Sequence, residues 1–211
     1  PRRGEHAGEY HLLRIAVLLL CILGVTSAAS VSIAAEAPRR VLAFYNFDGD
    51  ELRTHPLHAL AEMPFNHLGL KLEYHEISAP LPEDAIDDPT IAGIITWFNT
   101  GAIPRPLKFI DWAERMVDAG KKYMSLGDLG FLAANDGTPD PSRARSNAFL
   151  DRLGFRITGE WTNVTFDSRV QNRDPAMVDY ERPMAGKLPA YEKYEVTADF
   201  ATSHLQVFRG Q

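Results

Sequence analysis

The stretch that most restricts the fold is Ile91–Phe98, IAGIITWF. A strand with one wet face alternates apolar and polar residues. This stretch is apolar at almost every position, so a strand built from it needs cover on both faces. Such strands sit inside parallel sheets flanked by helices. The stretch then runs into a loop at Asn99, Thr100 and Gly101. In many α/β enzymes a strand exit of this kind carries a nucleophilic Cys or Ser. Here it carries Thr96, Trp97, Phe98 and Asn99.

The flanking sequence repeats a strand–helix alternation. RRVLAFYNF (39–47) reads as a buried first strand. THPLHALAEMPFNHLG (54–69) reads as a helix, with Pro56 in its first turn and Gly69 as its stop. Leu57, Leu60, Ala61 and Leu68 fall on one face at helical spacing, and Pro64 should kink it. KLEYHEI (71–77) is a second strand, and the Pro- and acid-rich stretch 79–89 is a loop. RPLKFIDWAERMVDAG (105–120) is an amphipathic helix, and KKYMSLGD (121–128) is a fourth strand. DPSRARSNAFLDRLG (140–154) is a helix with Asp140 as N-cap, Pro141 at its first position and Gly154 as C-cap. This order predicts an α/β domain over residues 38–155, a doubly wound parallel sheet with helices on both faces. Residues 156–211 lose the helical period and are rich in β-branched and aromatic residues. They read as the start of a β-rich segment, and the chain as the N-terminal part of a longer protein.

Residues 1–37 are set apart. A polar stretch ending at Arg14 precedes the 15 apolar residues IAVLLLCILGVTSAA and then small residues. That is short for a membrane span, which needs roughly 20, and it matches a secretory signal. Cleavage after Ala34 or Ala37 fits a small-x-small rule; an uncleaved anchor is the rival. The expected location is periplasmic or extracellular, with membrane contact only through this signal. Cys21, the single cysteine, lies inside the apolar run. A cleaved chain therefore has no disulfide, thiolate metal site or cysteine nucleophile. The net charge of −6, without a basic run, argues against nucleic acid.

Ligands of doubly wound folds bind beyond the carboxyl ends of the strands. The residues expected there are Asp48 after the first strand, His75 near the end of the second, Trp97 and Asn99 on the third, and Asp128 after the fourth. Together they form a polar rim with an aromatic platform, suited to a small polar ligand. The plain alternative for Trp97 is a core residue under the helix of 105–120. No cofactor is expected: the first strand–helix turn, NFDGDELR, lacks a dinucleotide fingerprint. His58 and Glu62 share a helix face but lack a third ligand at a telling spacing, so no metal is expected. The phrases NFDGD (46–50) and VTFDSRV (164–170) suggest the Asp motif of carbohydrate deacetylases. Their His-x-x-x-His partner is missing among the seven histidines. No G-x-S-x-G elbow occurs either, and no catalytic residue is assigned.

Several phrases, in order, resemble a known family. HPLHALAEMPFNHLGLKLEYHEI, LP, IAGIITWF and W…VDAGKKYMSLGDLG are similar to the PelA-like exported polysaccharide hydrolase/deacetylase proteins. The similarity is to the domain between their hydrolase and deacetylase parts, over roughly 39–155 with a fainter continuation to 208. The resemblance implies a flavodoxin-like fold related to class I glutamine amidotransferases. It also implies a non-catalytic accessory role, with polysaccharide or exopolysaccharide-assembly proteins as partners. The amidotransferase nucleophile would fall on Phe98 or Asn99, so that chemistry is not expected. No hydrolase domain precedes the matching region, and the sequence stops before a deacetylase domain could begin. The competing readings are a binding or assembly module unrelated to glycans, and a hydrolase active within these residues.

Overall fold

The computed structural model describes residues 37–46, 52–162, 168–172, 184–186 and 191–209. The first strand, β1 (Arg40–Tyr45), is buried through its four central residues. A π-helical segment, Leu57–Ala61, leads into α1 (Glu62–His67) and then β2 (Lys71–Glu76). A 3-10 turn at Glu83–Ile86 precedes β3 (Ile91–Phe98). After the short β4 (Ala102–Ile103) come α2 (Pro106–Asp118), β5 (Lys122–Gly127), the short β6 (Ala133–Ala134) and α3 (Arg143–Arg152). The remaining strands are β7 (Phe155–Thr162), β8 (Ser168–Asn172), β9 (Met184–Gly186), β10 (Tyr191–Val196) and β11 (Leu205–Arg209).

Four strands make a parallel sheet in the order β2-β1-β3-β5. β3 is internal and covered on both faces, as its composition requires: Ile94 is 2% exposed on one face and Ile95 0% on the other. The Ile94 face meets α2 and α3 through Phe109, Trp112, Met116, Phe149 and Leu150. Trp112 is fully buried, and its Nε1–H donates to the Pro82 carbonyl at 3.1 Å. The Ile95 face meets the first helix through Leu57 and Ala61. β7 and β10 pair antiparallel, and β8 pairs with β9 and β11.

Two expectations about helices need correction. Leu60 and Leu68 are 63% and 72% exposed, although Leu57 and Ala61 of the same helix are buried. The π-helical segment is the cause. The Glu62 N–H donates to the Leu57 carbonyl, five residues back, which inserts extra backbone and rotates later residues off the 3.6 period. The segment lies just before Pro64, whose ring would crowd an ordinary helical turn and which has no N–H to donate. Asp140 does not cap α3. Ser142 does, its Oγ accepting from the Arg145 N–H at 3.1 Å. Asp140 instead accepts from the Ala134 N–H at 2.7 Å, which ties the β6 turn to the start of the helix.

Tyr123 of β5 faces the α2 and α3 side, with its ring edge-on to Phe149 at 5.3 Å. Burial pushes its phenol well above the usual value, partly opposed by Thr96. Burial, and then the Glu62 carboxylate, raise Tyr74 likewise. A raised phenol stabilises the fold while neutral. That stability is fully present below about pH 10 and is lost as pH rises further. The urea midpoint should therefore fall above about pH 10. The fall should be shallower in Tyr123→Phe; equal slopes in parent and variant would mean that the phenol is solvated.

Candidate functional site

In an open parallel sheet, the crevice for ligands opens where the strand order reverses. That point lies between β1 and β3, since β2 flanks β1 on one side and β3 on the other. Buried Asn46, just past β1, uses its Oδ1 to accept the Asn99 backbone N–H at 3.2 Å. The bond staples the two strand ends together and leaves Asn99 itself exposed.

Side chains alternate along a strand, so Trp97 and Phe98 point to opposite faces. Phe98 is fully buried on the α2 side, its ring 6.1 Å from Phe109. Trp97 faces the first helix, half-buried against the cluster of Leu57, Ala61 and Ile95. This corrects the alternative that placed it under the helix of 105–120. Its indole lies on Gly127: a Cβ there would stand 3.0 Å from Trp97 Cδ1 and 3.2 Å from Nε1. Gly127 has φ 69°, a left-handed turn that only glycine adopts cheaply. The turn delivers Asp128, whose N–H donates to the Phe98 carbonyl at 2.9 Å and which is otherwise exposed.

Tyr194 of β10 packs its ring against Phe155 of β7, 5.9 Å away. Its phenol is raised first by burial, then by the charges of Glu192 and Asp128. Half of the residue remains exposed, at 51%. Trp97, Gly127 and Asp128 form one strip at the sheet edge.

His75 is brought elsewhere. It lies on the other side of β1, on the opposite face, with its ring 4.9 Å from Phe44. Its Nε2 is 2.8 Å from the Pro80 carbonyl, so the protonated nitrogen donates there. Asp48 lies outside the described residues, as does Asp167 of the VTFDSRV phrase. His58 and Glu62 do pair, and the Tyr74 hydroxyl donates to Glu62 Oε2 at 2.9 Å. Among the described residues, no group of three or more His, Cys, Asp or Glu is placed to hold a metal.

A second concavity was not foreseen. A groove of about 400 Å³ opens where the chain leaves β2 and where α2 begins. Ile77, Leu81 and Phe109 supply apolar lining, and Arg105, Lys108 and Arg115 supply charge. Arg105 is the one described non-glycine residue with a positive φ, 53°. The signal in the sequence was RPLK at the head of an amphipathic helix, but its loop partner, 77–83, is fixed only by the fold.

No family model, curated protein or solved structure matches this chain. Among the described residues, no helix is long and apolar enough to cross a membrane.

Proposed function

We propose that the chain is a non-catalytic accessory domain of an exported polysaccharide-processing protein, and that it contacts glycan through the Trp97 strip. One observation carries this reading. A half-buried indole lies at the carboxyl edge of the sheet with an exposed carboxylate beside it. An indole offers a flat apolar face for a sugar ring, and carboxylate and amide groups suit its hydroxyls. A fifth strand beyond β5 would give the flavodoxin-like order 2-1-3-4-5, whose first four strands are ordered as in this sheet. Phe98, buried where an amidotransferase nucleophile would stand, favours binding over acyl transfer. Export rests on the signal-like pattern of residues 1–37, and association with a deacetylase on the sequence resemblance.

The test is a titration of the isotope-labelled chain with tetramers of N-acetylglucosamine and of its deacetylated form. Either tetramer should shift the Trp97 indole N–H and the Asp128 amide. Trp97→Ala should remove the shifts at a cost of about 1–2 kcal/mol, less than the roughly 3–5 of a fully buried aromatic. No saturable shift at the strip with either tetramer would refute the glycan role. Metal-dependent release of acetate would refute the non-catalytic one.

A further inference from the structure

We propose that the groove beside the start of α2 binds a small organic monoanion, a carboxylate carried on an apolar body. The site is separate from the Trp97 strip and does not depend on the glycan reading. Its place is the first argument. The groove lies beyond the end of β2 and against the β3–α2 connection, on the carboxyl side of the sheet where such folds bind ligands. Its volume, about 400 Å³, falls in the range of small-molecule sites.

Charge gives the sign of the ligand. Three cations and two carboxylates line the groove, in a chain of net charge −6. Both carboxylates are already engaged. Glu83 is held by Arg115 at 2.7 Å, and Asp111 by Arg145 of α3 at 2.6 Å. Arg105 donates through Nη2 to the Ser78 and Ala79 carbonyls at 2.6 and 3.1 Å. Carbonyls are neutral, and among the described residues no carboxylate is paired with that guanidinium. Lys108 is exposed, and among the described residues no carboxylate pairs with it. Arg145 is itself shared with Glu114, so the lining with its supporting pairs carries one cation in excess, which a monoanion answers.

The floor gives the body of the ligand. Ile77 and Phe109 close the bottom and Leu81 a wall, so an ion alone would leave apolar lining in water. Arg105 adds an observation of a different kind. It sits in the left-handed region at φ 53° and ψ 50°, which costs a residue with a Cβ. Its carbonyl accepts from the Phe109 N–H at 3.1 Å, the first bond of α2. The fold thus holds this residue in a costly conformation in the groove lining, where glycine would be cheaper.

The experiment titrates the isotope-labelled full chain with benzoate, with benzyl alcohol as the neutral isostere, and with inorganic phosphate. Benzoate should shift the Leu81, Lys108 and Phe109 amides saturably. Benzyl alcohol and phosphate should each bind about tenfold more weakly or worse. Lys108→Glu should weaken benzoate by about tenfold or more with an unchanged melting midpoint, because the residue is exposed. Arg105→Gly keeps the left-handed backbone without strain, so it should lose benzoate while remaining folded. The proposal is overturned if benzyl alcohol or phosphate binds as tightly as benzoate, if Lys108→Glu binds like the parent, or if benzoate gives no saturable shift. None of these outcomes involves the Trp97 resonance.

Discussion

Replacing Ile95 by Asp should abolish the cooperative thermal transition, and replacing Ile94 by Asp should do the same. Both residues are within 2% of complete burial, and they face opposite layers. Among the described residues, no Lys or Arg is buried. A carboxylate there must either stay charged in an apolar layer or take up a proton at several kcal/mol. A domain of this size is stable by only about 5–15 kcal/mol, and the lost isoleucine adds its own packing term. The pair is more informative than either variant alone. If the sheet is sandwiched between helices, both fail; a strand lying under one layer would lose only one. Circular dichroism melts decide it, and a transition near the parent midpoint in either variant would place β3 at a wet face.

The second large effect is expected at Gly93. β1 and β3 change register between Arg40 and Val41, which pair with Ile91 and Gly93 and leave Ala92 as an extra residue. On its other side Gly93 pairs with Lys122 of β5. A Cβ on Gly93 would stand 3.0 Å from the Lys122 carbonyl carbon and closer still to its oxygen. That obstacle is backbone and cannot rotate away. Either β5 is displaced or the ladder is broken, and overpacking of this kind costs about 1–3 kcal/mol, occasionally more. Gly93→Ala should thus lower the urea midpoint by an amount worth about 3 kcal/mol, and Gly93→Val by more. A midpoint unchanged in Gly93→Ala would show that β5 does not pair with β3 in this register.

The sheet was legible in the sequence because its physics is local. Ile91–Phe98 could not be a half-wet strand, and the stops at Gly120 and Gly154 adopt the positive φ that ends a helix. The first helix was misread at Leu60 and Leu68 because a periodicity argument assumes one period, and the π-helical segment breaks it. Asp140 and Ser142 both suit an N-cap, and only the pull of the Ala134 amide on Asp140 decides between them. The rim was legible only in part. Strand ends can be listed from sequence, but a strand apolar on both faces does not reveal which face Trp97 takes. His75 was grouped with Trp97 by its position along the chain, and alternation sent the two to opposite sides of the sheet. The wall of the groove at Leu81 comes from a segment distant in sequence from the start of α2, so no spacing could have announced it.

The strand order β2-β1-β3-β5 also bears on how the chain is made. Of this sheet's four strands, the first to leave the ribosome is an inner one, with partners on both edges. One partner, β2, follows soon; the other is complete only at Phe98. Translation at roughly 5–20 residues per second puts about 50 residues, and roughly 3–10 seconds, between the end of β1 and the end of β3. Through that interval one edge of Val41–Phe44, four residues that end fully inside the protein, has no native partner to meet. An open apolar edge is a template for any passing strand. The sheet is assembled out of synthesis order, with its first strand waiting on its third.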